Sequence, residues 1–276
     1  RRVLFRSGRG DGSFVVSTYE EPRDVKTLGA GDFDGDGVLD LVAARGVYAD
    51  AFILMGRGDG TFRMGERVET GGRVESVVVE DFNSDGFLDF ALGYRLDRVA
   101  FYQGRGDGTF EPGPTLAMAG LAIEMKAGDF NGDGRPDLAI ANKPGGITVL
   151  LSDGSGGFPS RTNYAPWARF VALDVGDFDG DGVQDLAGLT EELNSSDQDA
   201  LVLLGRGDGS FDINFDYRSD HQGQVDLAIG DFDGDGFSDM VLANSSDHAV
   251  TVMIRRLRVY PAGAQRYFPA QEEYYV

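Results

Sequence analysis

Five short stretches of the chain place carboxylates on alternate residues: DFDGDGVLD (Asp32–Asp40), DFNSDGFLD (Asp81–Asp89), DFNGDGRPD (Asp129–Asp137), DFDGDGVQD (Asp177–Asp185) and DFDGDGFSD (Asp231–Asp239). Position 1 is Asp32, Asp81, Asp129, Asp177 and Asp231. Position 3 is Asp34, Asn83, Asn131, Asp179 and Asp233. Position 5 is Asp36, Asp85, Asp133, Asp181 and Asp235, and position 9 is Asp40, Asp89, Asp137, Asp185 and Asp239. Alternating hard oxygen donors, a Gly at position 6 and a backbone carbonyl at position 7 are the opening half of a calcium loop. Position 7 is Val38, Phe87, Arg135, Val183 and Phe237, a variation that a main-chain ligand permits. The Glu that closes a helical calcium hand at position 12 is missing, so Asp at position 9 is expected to close the site, within a hairpin. Carboxylates this close repel without a cation. A single copy would read equally well as a solvated Asp-Gly turn; five in register favour one Ca²⁺ per loop, five in all. Asn83 and Asn131 remove a charge each, so the second and third sites are expected to be weaker. The Phe at position 2 is expected to point into the core.

The elements that position these loops repeat with them. The loops recur at steps of 49, 48, 48 and 54 residues. A second motif keeps the beat: GRGDGTF at Gly56–Phe62 and Gly104–Phe110, GRGDGSF at Gly8–Phe14 and Gly205–Phe211, and the degenerate SDGSGGF at Ser152–Phe158. Repeats therefore fall near 15–62, 63–110, 111–158, 159–211 and 212–268, the last with a degenerate Phe268. Within the second, RVESVVVEDF, LDFALGY, RVAFYQG and TFEPGPTLAM read as four short strands bounded by Gly, Asp or Asn. The runs Val77–Val79 and Leu201–Gly205 suggest strands buried on both sides. Four antiparallel strands per repeat, with a period in the forties, are the signature of a propeller blade. The expected fold is an all-β propeller of four-stranded blades. The Asp loop joins the first strand to the second, and the Gly-Arg-Gly-Asp turn joins the third to the fourth.

The pairing of DxDxDGxxD with GxGDGxF at this spacing resembles the FG-GAP, or VCBS-type, repeats of integrin α-subunit propellers and of many bacterial extracellular proteins. The resemblance covers nearly all of Gly8–Phe268. It implies a propeller, usually of seven blades, with structural calcium on one face and partner binding on the other. Five repeats are present, so two further blades are expected beyond this stretch; a closed five-bladed ring is the alternative. Arg1–Ser7, RRVLFRS, matches the translation of a common short-read sequencing adapter, and native sequence is expected to begin near Gly8.

A net charge of −21 makes nucleic acid and anionic membrane surfaces poor partners and cations good ones. No apolar run is long enough to insert into a membrane. The calcium loops and the resemblance imply an extracellular location. The repeated Arg-Gly-Asp is expected to be hairpin chemistry, with Gly supplying positive φ and Asp bonding its own turn, rather than an adhesion signal. The opposite connections vary between repeats, as in Thr190–Asp199, and suit a recognition face. Tyr48, Tyr94, Arg95, Trp167, Arg169 and His221 are the candidate ligand-binding residues there, being of types enriched in binding spots. With two His, no Cys and no hydrolase motif, a non-enzymatic scaffold binding protein or carbohydrate is expected. A sugar-binding lectin and an accessory domain of a secreted polysaccharide-active enzyme are the alternatives.

Overall fold

In the computed structural model, residues 3–8, 14–19, 22–96, 98–118, 120–190, 199–218, 224–244, 249–259 and 265–275 are described. Every regular element among them is a β-strand. Strands β1 (Val3–Gly8), which begins within RRVLFRS, and β2 (Phe14–Tyr19) pair antiparallel as a two-stranded sheet. Five quartets follow. The first is β3 (Val25–Gly31), β4 (Asp40–Arg45), β5 (Asp50–Gly56) and β6 (Phe62–Glu69), and the second β7 (Val74–Glu80), β8 (Asp89–Tyr94), β9 (Arg98–Gly104) and β10 (Phe110–Ala117). The third is β11 (Leu121–Gly128), β12 (Asp137–Lys143), β13 (Gly146–Leu151) and β14 (Ser160–Tyr164), and the fourth β15 (Phe170–Gly176), β16 (Asp185–Thr190), β17 (Asp199–Gly205) and β18 (Phe211–Arg218). The fifth is β19 (Gln224–Gly230), β20 (Asp239–Asn244), β21 (Ala249–Val259) and β22 (Gln265–Tyr275).

The chain divides into two compact units, Arg1–Ala127 with Ser152–Pro159, and Gly128–Leu151 with Ser160–Val276. In the first unit, β3 to β6 and β7 to β10 form two antiparallel four-stranded sheets in sequential order, and β3 packs against β7. In the second unit, β15 to β18 and β19 to β22 do the same. There, too, β12, β13 and β14 pair in order. The strand β15 packs against both β12 and β19. The ladders end where the sequence places its loops. Gly31 pairs with Asp40 across the Asp loop, and Gly56 with Phe62 across the Gly-Arg-Gly-Asp turn. The same pairs recur as Glu80 with Asp89 and Gly104 with Phe110.

Burial follows strand position. The second strands β8 and β16 are buried along their whole length, while the fourth strands β6 and β10 are largely exposed. Ala91, Ala139 and Ala187 in the second strands are fully buried, small residues that let neighbouring sheets approach closely. Of Leu201–Gly205, Leu201 to Leu203 are buried as expected while Leu204 and Gly205 are half-buried, and Val77 to Val79 are only half-buried. They lie on a first strand, an edge of its sheet with one backbone neighbour, so the two-sided burial belongs to the second strand instead. Two core clusters centre on Phe33, Ile53, Phe90 and Phe110 in the first unit and on Phe130, Ile147, Phe170 and Phe211 in the second.

The first glycine of GRGDG is required by close approach. A Cβ on Gly104 would lie 2.2 Å from the Leu88 carbonyl oxygen, and one on Gly56 2.4 Å from that of Leu39. The second and third glycines adopt φ of 72° and 80° at Gly58 and Gly60. The degenerate third-repeat turn keeps these two, as Gly154 and Gly156, but has Ser152 in place of the first. Because the obstacle at Gly104 is main chain, Gly104→Ala is expected to destabilise the protein by about 1–3 kcal/mol, read as a lowered urea midpoint at unchanged slope.

Candidate metal centre

Each Asp loop is organised by its own carboxylates. Asp32 accepts Gly35 N–H at 2.8 Å and Asp36 N–H at 3.2 Å on Oδ1, and Gly37 N–H at 2.8 Å on Oδ2. Asp34 Oδ1 accepts Asp36 N–H at 3.3 Å, and Asp36 Oδ1 accepts Val38 N–H at 2.8 Å. Glycines with φ of 72° at Gly35 and 82° at Gly37 curl the chain so that alternate side chains turn inward. Near-identical bonds recur around Asp177 and Asp231. A carboxylate oxygen carries two lone pairs, so the oxygens that accept a single backbone bond, Asp32 Oδ2, Asp34 Oδ1 and Asp36 Oδ1, keep capacity for a cation.

Three groups of carboxylates among the described residues bring ligand oxygens within 4.8 Å of one another: Asp32, Asp34 and Asp36; Asp177, Asp179 and Asp185; Asp231, Asp233 and Asp239. Convergent, acidic, oxygen-only donors suit a hard divalent cation. Burial, with Asp181 and Asp177 adding charge, raises the Asp179 carboxyl above its ordinary value. In the second and third loops the amide reorganises the site. Asn83 Nδ2 donates to Asp85 Oδ2 at 3.0 Å while Asn83 Oδ1 accepts Asp85 N–H at 2.9 Å. Asn131 and Asp133 repeat this at 3.2 and 3.0 Å. There an amide hydrogen supplies part of the positive charge that a cation would supply elsewhere.

Position 9 has a second role that the motif does not reveal. Asp89 is 1% exposed, and its carboxylate accepts Gly104 N–H at 2.8 Å and Phe82 N–H at 3.1 Å. Asp40 does the same for Gly56 and Phe33, and Asp185 for Gly205 and Phe178. This buried carboxylate pins the Asp loop to the Gly-Arg-Gly-Asp turn of its own sheet. Burial raises Asp89 to about 6 and Asp185 to about 7, the neighbouring loop aspartates adding to the push and the N–H donors opposing it. The surroundings thus oppose ionisation of both carboxyls, an opposition that a bound cation would relieve.

The Phe at position 2 is buried at Phe33, Phe82 and Phe130, but Phe232 is 52% exposed. Its partner is the Phe that ends the turn of the following repeat. Phe33 meets Phe110 edge-on at 5.2 Å, and Phe82 meets Phe158 at 6.0 Å, both in the first unit. Phe130 meets Phe211 at 5.6 Å in the second. A main-chain bond runs beside two of these contacts: Gly108 N–H donates to Phe33 O at 3.0 Å, and Gly209 N–H to Phe130 O at 2.9 Å. The Asp of each Arg-Gly-Asp among the described residues turns back on its own hairpin. Asp59 Oδ1 accepts both N–H and Oγ1–H of Thr61, at 2.8 and 2.6 Å, and Asp107 and Asp208 repeat this with Thr109 and Ser210. Those bonds hold all three carboxyls below the ordinary range. Arg105 pairs with Glu111 at 2.7 Å, and Arg206 forks onto Asp212.

The candidate ligand residues are dispersed. Tyr48 is half-exposed between β4 and β5, with the Arg45 guanidinium 4.1 Å above its ring. Tyr94 is not a loop residue: it ends β8, 1% exposed, because the apolar run ALGY continues the buried second strand to its last residue. Its hydroxyl donates to Thr70 O at 2.9 Å. Arg95 follows it and is exposed, and the two line one cleft. Trp167, 75% exposed, and half-buried Arg169 lie between β14 and β15. His221 and most of the Thr190–Asp199 loop lie outside the described residues. An ion-pair cluster that the sequence reading missed lies beside Tyr48: buried Asp50 accepts Arg45 in a two-bond fork and Arg67 Nε at 2.9 Å.

Sequential four-stranded sheets that carry an aspartate loop between the first and second strands, joined in the first, second and fourth to a glycine turn at the same end, define a blade-repeat protein of the propeller type. The chain belongs to the FG-GAP-like repeat family, whose sequence pattern matches residues 32–92, 81–140 and 129–188, more than half of its length. A search of curated proteins by sequence returns no match. Among solved structures, the chain is similar to BBS1N in complex with ARL6DN. In the lead-soaked crystal the TM-score is 0.56 at 10% identity, over 85% of this chain and 67% of the other. In the mercury-soaked crystal it is 0.60 at 11% identity, over 91% and 69%. At such identity the likeness is one of fold.

Two outcomes are expected. Asp89→Ala strands two buried N–H groups and should destabilise by about 2–5 kcal/mol, with chelator or without, in urea unfolding. Burial alone would raise the Asp50 carboxyl, but the Arg45 and Arg67 hydrogen bonds outweigh it and hold it below its ordinary value. A carboxyl depressed by folding stabilises above its unfolded pKa, near 3.9, and that contribution is lost as pH falls through the folded value. Asp50→Asn should therefore be less stable than the parent by about 3 kcal/mol at pH 7, and the gap should close as pH falls below about 4.

Proposed function

We propose that the chain is a calcium-stabilised, non-enzymatic propeller scaffold of an extracellular protein, which binds a protein partner through the connections opposite its Asp loops. The observation that carries this reading is the convergence of carboxylate oxygens at the same loop in the first, fourth and fifth repeats. Asp32, Asp34 and Asp36 converge and would hold the first ion with the Val38 carbonyl, Asp40 standing outside that group; positions 1, 3 and 9 converge in the fourth and fifth loops and would hold theirs, and the two Asn-containing loops would bind more weakly. The ion supplies charge neutralisation and cross-linking of the loop, which are structural services. Loop carboxylates spent on main-chain N–H groups suit a brace better than an acid–base pair. Protein binding is supported by BBS1N, a fold neighbour solved in complex with ARL6DN.

The extracellular reading is supported by the supply of calcium that such sites would need. Extracellular calcium modules bind at roughly 10⁻⁴–10⁻³ M. At millimolar calcium each site then stabilises by about 0.4–1.4 kcal/mol, and several together are a sizeable part of the roughly 5–15 kcal/mol of a typical domain. In a calcium-poor cytosol that contribution would be absent. Titration calorimetry should show calcium uptake, and chelator should lower the melting temperature. Asp34→Ala should reduce the stoichiometry by one. No heat of binding and an unchanged melting temperature would refute the reading.

A further inference from the structure

The connection from β6 to β7 and the one from β8 to β9 meet at a cleft of about 340 Å³ within the first unit. Its walls carry Arg73, Arg95 and Arg98, with Tyr94, Leu96 and the Gly71–Gly72 pair, and no acidic side chain among the described residues; Asp97, between Leu96 and Arg98 in sequence, lies outside them. In a chain of net charge −21 this gathering of guanidinium groups runs against the overall balance. It is also built. Arg95 N–H donates to Arg73 O at 3.0 Å, holding those two residues on one lip. Arg98 lies 4.2 Å over the Tyr94 ring, and its Nη2 donates to Thr70 O at 3.3 Å and Gly71 O at 3.1 Å. The Arg98 charge is thus fixed by carbonyls rather than cancelled by a carboxylate at these contacts. Gly72 keeps the cleft open: a Cβ there would lie 2.9 Å from Arg98 Nη2 and 3.0 Å from the Tyr94 ring. Glu75 reaches Arg95 only at 3.9 Å and is shared with Lys26 at 3.4 Å. A guanidinium has five N–H donors, so Arg95 retains capacity for a ligand.

The geometry points to a carboxylate-binding site in this cleft, taking an acidic side chain of a partner protein. The inference rests on reading these connections as the partner-binding ones. Arginine forks match a carboxylate in two-bond geometry. Leu96, 77% exposed at the rim, offers apolar contact to a residue beside the acid. An acidic sugar fits less well. The cleft's ring, Tyr94, has a face covered by Arg98 and a hydroxyl committed to Thr70, so it offers neither a stacking platform nor a free hydroxyl.

The test uses the full chain with saturating calcium at about 0.15 M salt, where distant charges are screened. Fluorescence anisotropy follows a labelled Glu-Leu-Glu-Leu-Glu peptide, its Gln-for-Glu counterpart and trigalacturonate as competitor. The Glu peptide is expected to bind at least about tenfold more tightly than the Gln peptide. Arg73→Gln and Arg95→Gln should each weaken it about tenfold at an unchanged melting temperature, and Arg73→Lys should restore part of the loss. Equal binding of the two peptides, no binding of either, indifference to both Gln variants, or binding of trigalacturonate alone would each overturn the proposal. Calcium-dependent melting is read in the same samples, so a failed cleft is distinguishable from a failed calcium scaffold.

Discussion

A buried carboxylate that accepts two main-chain N–H groups is the constraint on which the first, second and fourth repeats depend. Asp40, Asp89 and Asp185 sit at the first paired position of a second strand, and each ties the loop before it to the turn that closes the third strand. Neither connection is long enough to have a core of its own. Each becomes definite because the other is fixed to the same side chain. The cost is a carboxyl whose ionisation its apolar setting opposes, visible in the upward displacement of Asp89 and Asp185. Loop aspartates a few residues away add to that displacement, so the device that orders the repeat also creates the demand for positive charge.

Coupling between repeats uses different chemistry. The Phe of one loop meets the Phe of the next turn, and a glycine N–H of that turn reaches the loop's carbonyl, as in Phe33, Phe110 and Gly108. Aromatic edges give area and orientation, and the hydrogen bond gives register. The Arg-Gly-Asp tripeptide is absorbed into this coupling. Its glycine and the one that follows it make the turn, its Asp braces it, and its Arg pairs with an acid just beyond it in two copies. Recurrence of the tripeptide thus reflects repetition of a hairpin.

Much of this was legible in the sequence because spacing and residue type coincide. Gly at loop position 6, Asp on alternate residues and a turn Phe every 48 residues or so leave one strand–loop–strand arrangement. What stayed hidden depends on partners distant in sequence. Nothing in FLDF reveals that Asp89 binds Gly104, or in GERVE that Arg67 reaches Asp50. Val77 to Val79 mimic a two-sided strand because three valines look alike on an edge and in a centre. Tyr94 mimics a loop residue because arginine and leucine follow it, yet the ladder runs through it to Val74. The arginines of the cleft come from two segments more than twenty residues apart, the β6–β7 connection and the stretch that leads into β9, and only folding adds them together.

Seating each turn on the preceding repeat's loop gives the chain a direction in time. Phe33 has to wait for Phe110, which leaves the ribosome 77 residues later, and Phe82 waits 76 for Phe158. At roughly 5–20 residues per second, an aromatic ring and its carbonyl stay uncovered for about 4–15 seconds during synthesis. Each nascent blade is finished by its successor, and growth proceeds like a zip whose every tooth is closed by the next one to arrive.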